Sequence, residues 1–264
     1  MSLQDKIQQL YQHLAAYDRL AVAFSGGVDS SFLLLAAYEA LGRGSLAVTL
    51  SGPHFSPDEQ QEARIFCEKH GIPQLVINIE DALPEEFLRN PPNRCYYCKK
   101  AMFQALQHVT DDIPIADGTN ADDETDYRPG RQALQELGIL SPLAEVGFHK
   151  DDIRRALAAM NEPVWEKPAC ACLASRIPYG DRITRDKMQA IYQAEHALRS
   201  LGFRQVRVRH HGSIARIEVP RDEMPRLFDL ETIEQVNRLV KEAGFAYATL
   251  DLGGYIRGSL NREL

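Results

Sequence analysis

The sequence predicts an α/β fold, a doubly wound parallel sheet followed by a small C-terminal α+β domain, on three observations. Short apolar runs alternate with helical patterns through the first half of the chain, and strands separated by helices build right-handed βαβ units in a parallel sheet. The first of these runs ends in two glycines and passes straight into a helical segment, the kind of corner at which such sheets bind ligands. Beyond residue 184 the alternation gives way to helix, hairpin, helix and strand, a domain of a different kind.

Residues 1–20 are polar and amphipathic, without the apolar stretch of a secretion signal. Residues 20–24, 45–50, 74–79 and 113–116 read as strands, and 31–42, 57–70, 98–109 and 129–138 as helices, the last stopping at Gly138. A further helix is expected over 151–160. Residues 161–178 carry Pro163, Pro168, Pro178, the single Trp165 and two cysteines, the composition of an irregular connection. Residues 184–201 form an amphipathic helix, with Thr184 as N-cap and Gly202 past its end. Residues 205–209 and 214–219 alternate around His210-His211-Gly212-Ser213, a hairpin with both histidines in its turn. A helical stretch over 222–243 ends at Gly244, and residues 247–251 read as a final strand. The expected domains are 1–174 and 175–264.

The chain has 264 residues, 44% of them hydrophobic and 25% charged, an ordinary globular composition. No stretch approaches the roughly 18 apolar residues of a membrane span, so a cytoplasmic protein with no membrane contact is expected. The net charge of −7 is uneven: residues 1–174 hold 15 Lys/Arg against 25 Asp/Glu, and residues 175–264 hold 15 against 12. An acidic body argues against a broad nucleic-acid surface and fits a compact anionic ligand held by a few arginines. Cys67 lies in a helical pattern and reads as a buried apolar residue. Cys95, Cys98, Cys170 and Cys172 form two close pairs, better thiols or metal ligands than disulfides in a cytosolic chain.

The chemistry concentrates in four places. Ser25-Gly26-Gly27-Val28-Asp29-Ser30 follows the first strand and opens a helix. Glycines admit a tight turn and a close backbone approach to an anion, the helix directs its positive end there, and Ser25, Ser30 and Ser31 add hydroxyls, so the turn suits phosphate oxygens. Asp29 could bind metal or cap the helix. Asp117-Gly118-Thr119-Asn120-Ala121-Asp122-Asp123 follows the fourth strand and offers carboxylates, Asp122 among them, to Mg²⁺ on ATP phosphates. Arg128, in the continuation of that loop, suits a phosphate or carboxylate. Cys95-x-x-Cys98 with one of Cys170 and Cys172 can make a Zn or Fe–S site, and a C-x-x-C is also a dithiol pair. Arg207 and Arg209 alternate on one strand and so share a face, which suits an anionic substrate or simple solvation; Glu195 and Arg199 are spaced for an intrahelical pair.

The turn S-G-G-V-D-S resembles the PP-loop of the ATP pyrophosphatases, which include GMP synthetase, NAD synthetase, asparagine synthetase and tRNA thiolases. Together with D-G-T-N-A-D-D-E-T-D-Y-R-P-G, C-Y-Y-C-K-K, S-R-I-P-Y-G, R-V-R-H-H and T-L-D-L-G-G-Y, it is similar almost end to end to LarE, the family of ATP-dependent sulfurtransferases that helps build the nickel-pincer nucleotide cofactor of lactate racemase. That resemblance implies a HUP-like PP-loop domain with a small C-terminal domain, homo-oligomers that include hexamers, and ATP as a cofactor, to which the acidic loop at 117–123 adds Mg²⁺. It implies adenylation of a carboxylate of pyridinium-3,5-biscarboxylic acid mononucleotide, loss of pyrophosphate, and replacement of AMP by sulfur. Residues 25–30 would hold the pyrophosphate, and Glu195, Arg207 and Arg209 match the segment around the substrate and sulfur site. Some members of the family sacrifice one cysteine's sulfur; here that position is Ala171 and a C-x-x-C is present. Other members look equipped with three cysteines for a [4Fe–4S] cluster that carries a labile sulfide, so the resemblance implies such a cluster here on Cys95, Cys98 and Cys172, with Cys170 as substitute ligand or sulfur relay. A tRNA thiolase, or a zinc-stabilised ATP-binding module without turnover, is the alternative.

Overall fold

The computed structural model describes residues 2–124, 129–168 and 171–256. Its elements are α1 (Leu3–Leu14), β1 (Leu20–Ala23), α2 (Val28–Leu41), β2 (Ser45–Ser51), α3 (Pro57–His70), β3 (Gln74–Asn78), α4 (Glu85–Leu88), α5 (Arg94–Thr110), β4 (Ile115–Ala116), α6 (Pro129–Glu136), α7 (Pro142–Glu145), α8 (Lys150–Ala159), α9 (Arg185–Ser200), β5 (Arg207–His211), β6 (Ile214–Glu218), α10 (Leu230–Glu242) and β7 (Tyr247–Leu250). The chain divides into two compact units, Met1–Pro84 with Asn93–Cys170, and Glu85–Pro92 with Ala171–Leu264.

In the first unit β1 to β4 form a wholly parallel sheet in the order β3-β2-β1-β4. Leu20, Val22 and Phe24 pack with Ala47 and with residues of α1, α2, α3 and α8, whereas Ala21, Val48 and Leu50 pack with residues of α5 and α6. Alternate residues of a strand face opposite sides, so two separate cores show that both faces are covered, as expected of a doubly wound sheet. The order reverses between β1 and β4, and the ligand crevice of such a sheet lies beyond the carboxyl ends of the strands at that reversal.

Several boundaries shift. α2 starts at Val28 rather than residue 31, because Gly27 at its N-cap is extended (φ −83°, ψ 166°) and the next residues are free to coil. α5 starts at Arg94 rather than 98, which places both cysteines of the C-x-x-C inside a helix. α6 ends at Glu136, and Gly138 beyond it has φ +65°.

The second unit holds α9, a sheet in the order β5-β6-β7, and α10. Thr184 caps α9 by accepting from Lys187 N at 3.3 Å. β5 and β6 are antiparallel and β6 and β7 parallel. His210 and His211 belong to β5, not to the turn: Gly212, at φ +62°, and Ser213 suffice to reverse the chain. The expected helix over 222–243 is broken, because Asp229 starts α10 afresh by accepting from Thr232 N at 3.0 Å. Residues 85–92 join this unit through Asn90, whose buried side-chain amide donates to the carbonyls of Ile177, Pro178 and Asp181 at 3.2, 2.7 and 3.1 Å.

Candidate active site

The loop between β1 and α2 is held by its own serines. Ser30 Oγ donates to Gly27 O at 3.1 Å and lies 3.1 Å from Ser25 Oγ, and Gly27 N donates to Ser25 Oγ at 3.4 Å. Gly26 has φ +69°, and a Cβ there would stand 3.2 Å from the Ala63 Cβ. The end of β4 closes against the same corner: a Cβ on Gly118 would lie 2.9 Å from Ser30 N and 3.2 Å from the Asp29 carbonyl carbon. Gly118 is a residue that sequence reasoning passed over; it read as one member of an Asp/Asn/Gly turn, and only the packing shows what it admits.

Asp29 sits in the first turn of α2. Burial, reinforced by the charge of Asp123 and opposed by Lys150 and Arg154, raises its pKa to about 6. Asp123 is buried and paired with Lys150 Nζ at 3.0 Å. Asp122 is engaged differently. Its carboxylate meets His149 Nδ1 at 2.6 Å and accepts from Lys150 N at 2.8 Å, so it stabilises the start of α8, and those bonds lower its pKa. The carboxylate that acts on Asp29 is thus Asp123. Asp117, also buried, accepts from Thr119 Oγ1 at 2.7 Å and Ser141 Oγ at 2.9 Å. Lys167 Nζ donates to Gly26 O at 2.9 Å and to Glu62 Oε2 at 2.6 Å. Arg128 lies outside the described residues.

Cys95 and Cys98 lie within the first two turns of α5, three residues apart and so on one helical face. Cys95 is exposed; Cys98 is buried, its Sγ 3.4 Å from Met102 Sδ and 3.8 Å from His54 Nε2. Burial lowers the pKa of His54 to about 4, so its imidazole is neutral near pH 7. Cys67 is a core thiol whose pKa burial pushes up to about 12. Cys170 lies outside the described residues, and among the described ones no group of three His, Cys, Asp or Glu side chains is placed to hold a metal ion.

In the second unit Cys172 lies beside a buried ion network. Arg176 Nη1 donates to the carbonyls of Ala171 and Cys172 at 2.5 and 3.0 Å, and its Nε and Nη2 grip the Glu195 carboxylate at 2.8 and 3.0 Å. Glu195 is 0% exposed and also accepts from Arg199 Nη2 at 2.7 Å and Val208 N at 3.1 Å. Burial alone pulls its pKa upward; the charges of Arg176, Arg207 and Arg199 outweigh this and hold its carboxyl below the ordinary glutamate value. Arg209 makes the same two-point contact with the fully buried Glu218, at 2.9 and 2.8 Å, and donates to Ser175 O at 3.0 Å. Arg207 donates to Val206 O and its guanidinium lies 5.6 Å from the centre of the Tyr255 ring. Both β5 arginines are buried, at 7% and 5% exposure, rather than solvated. The Glu195–Arg199 pair forms as expected; Arg176, which ties Glu195 to the Cys172 segment, carried no role in the sequence reading.

Comparison with known proteins adds to this geometry. The NAD synthase family model matches residues 2–90. A pyridinium-3,5-bisthiocarboxylic acid mononucleotide synthase of Lactiplantibacillus plantarum is 36% identical over 268 residues, covering 100% of this chain and 96% of that protein. An uncharacterised protein of Synechocystis is 38% identical over 99% of both chains, and one of Methanocaldococcus jannaschii 29% identical over 90% of both.

Proposed function

Because the chain belongs to the LarE family of PP-loop enzymes, we propose that it is an ATP-dependent sulfurtransferase acting on pyridinium-3,5-biscarboxylic acid mononucleotide in nickel-pincer cofactor synthesis. The observation that carries the proposal is the full-length match to a synthase of the bisthiocarboxylic product, joined to an intact S-G-G-V-D-S corner.

The first step is adenylation. A substrate carboxylate oxygen bonds to the α-phosphorus of ATP while the bond from that phosphorus to the bridging oxygen breaks, and pyrophosphate leaves. Residues 25–30 would receive the pyrophosphate on loop N–H groups, the Ser25 and Ser30 hydroxyls and the positive end of α2. Mg²⁺ takes one or two carboxylates plus phosphate oxygens; Asp29 and Asp123 would supply that pair, and Arg128 would be a further phosphate partner. Asp122, committed to the start of α8, sets the position of this loop. In the second step sulfur attacks the acyl carbon and the carbon–oxygen bond to AMP breaks. Arg207 and Arg209, aimed by buried carboxylates, would hold the nucleotide's anionic groups, and Arg176 with Glu195 would hold the Cys172 segment beside them. Cys95, Cys98 and Cys172 would hold a [4Fe–4S] cluster that would supply the sulfide: thiolates suit iron, and the i, i+3 pair of Cys95 and Cys98 shares a helical face. Cys170 is the substitute ligand or relay. On this reading residues 1–174 adenylate, residues 175–264 bind substrate and assemble a homo-oligomer, and the partner is a small nucleotide in the cytoplasm rather than nucleic acid or membrane. No helix among the described residues is long and apolar enough to cross a membrane.

The test is an anaerobic preparation given ATP, Mg²⁺ and the dicarboxylate mononucleotide, followed by pyrophosphate assay, product mass spectrometry, and iron, sulfide and zinc analysis. The expected result is substrate-dependent pyrophosphate release, exchange of oxygen for sulfur, and about four irons per chain. Release independent of the carboxylate overturns the sulfurtransferase reading; zinc, or conversion of a cysteine to dehydroalanine, overturns the cluster alone.

A further inference from the structure

We propose that Lys167 is a positioning residue of the ATP site, fixing the Gly26–Gly27 peptide so that its N–H faces the pyrophosphate. The inference rests on the reading of residues 25–30 as the pyrophosphate loop. Gly26 is the one residue of that loop with a positive φ, +69°, a conformation glycine adopts without steric cost and does not by itself lock, so the orientation of the following peptide needs a partner. Lys167 Nζ donates to the carbonyl of that peptide at 2.9 Å. A trans peptide carries its C=O and N–H on opposite sides, so gripping the oxygen turns the Gly27 N–H the other way, toward the side on which Ser25 Oγ lies 3.4 Å from it.

The grip is built rather than incidental. The Lys167 side chain is 17% exposed, and its ammonium also donates to Glu62 Oε2 at 2.6 Å. Its own backbone is anchored by Arg154, whose guanidinium donates to Trp165 O and, at 2.9 Å, to Lys167 O. Arg154 comes from α8, the helix whose start Asp122 secures. The loop after β4 and the loop after β1 are thereby set by one chain of polar contacts. Lys167 also opens the run that carries Cys170 and Cys172.

The experiment measures binding of three probes, inorganic pyrophosphate, ATP and AMP, each with Mg²⁺, to full-length wild type, Lys167→Met, Lys167→Gln and Lys167→Arg, with the Tm of each. Loss of one charge-assisted hydrogen bond should weaken pyrophosphate and ATP binding about tenfold in Lys167→Met. AMP binding should be unchanged, and Lys167→Arg, which keeps donors and charge, should recover most of the loss. Lys167→Gln serves as the same test should the methionine variant not fold. Equal pyrophosphate binding in all variants overturns the proposal. So does a loss shared equally by AMP and accompanied by a fall in Tm, which would mark Lys167 as general support. Wild type that binds neither pyrophosphate nor ATP overturns the loop assignment itself.

Discussion

Gly118→Ala should damage the ATP site from the side of β4. The new Cβ would stand 2.9 Å from Ser30 N, 3.2 Å from the Asp29 carbonyl carbon and 3.2 Å from Ser30 Cα, all backbone atoms of the first turn of α2. That turn cannot yield cheaply. Ser31 N donates to Gly27 O at 2.9 Å, and Phe32, Leu33 and Leu34 just beyond are 0% exposed. The strand end and the helix start must therefore part, an overpacking cost of about 1–3 kcal/mol, or roughly 2–4 °C of Tm per kcal/mol in a chain of this size. The displaced atoms carry Asp29 and Ser30, so Mg²⁺-dependent ATP affinity should fall together with stability. Gly27→Ala is the informative contrast. Gly27 has ordinary extended angles, and a Cβ there meets two side-chain hydroxyls and no backbone, Ser25 Oγ at 3.3 Å and Ser30 Oγ at 4.0 Å. That variant should keep its Tm and lose pyrophosphate binding, because on the proposed loop assignment its methyl would stand where the anion approaches. Thermal unfolding and calorimetric titration with ATP and pyrophosphate separate the two. Wild-type Tm and wild-type ATP affinity in Gly118→Ala would refute the close-approach argument, as would a Gly27→Ala that unfolds as readily as Gly118→Ala.

Two further predictions concern charge. Asp29 has its pKa raised from 3.8 to about 6, so the folded protein holds a proton between those values that the unfolded chain has released. The stability this contributes is fully present below about pH 4 and is lost as pH rises through about 6. Asp29→Asn should therefore gain on the wild type as pH rises, by up to about 3 kcal/mol at pH 8, with the two Tm curves meeting near pH 4, while pyrophosphate release falls; parallel curves from pH 4 to 8 would show that the environment of Asp29 is not as described. Glu195→Ala strands the buried Arg176 guanidinium and should cost about 3–5 kcal/mol, read from the urea midpoint, so activity losses at Glu195 or at Arg209, the partner of buried Glu218, are to be measured on preparations shown to be folded. A cost under about 1 kcal/mol would mean that water reaches the network.

The parts of this protein written locally were legible in the sequence. The run at 20–24, the two glycines and the apolar helix after them specify a strand, a turn and a helix because burial period, glycine's angles and helix initiation act within a few residues. Thr184 and Gly202 bound α9 for the same reason, and the alternation of Arg207 and Arg209 places both on one face. What tertiary structure decided was the choice of partner. Two adjacent aspartates, Asp122 and Asp123, are chemically alike in sequence; one caps α8 and the other bears on Asp29, according to which way the loop turns against Lys150 and His149. Arg207 and Arg209 read equally as solvated or substrate-facing, and the fold buries them, against carboxylates contributed by α9 and β6. Asn90 binds carbonyls 87 to 91 residues away and so carries residues 85–92 into the second unit. Gly118 and Lys167 act on the loop at 25–30 from 88 and 141 residues off. Periodicity records that a residue is buried, but the identity of what it is buried against depends on chain folding over such distances, and no local pattern carries it.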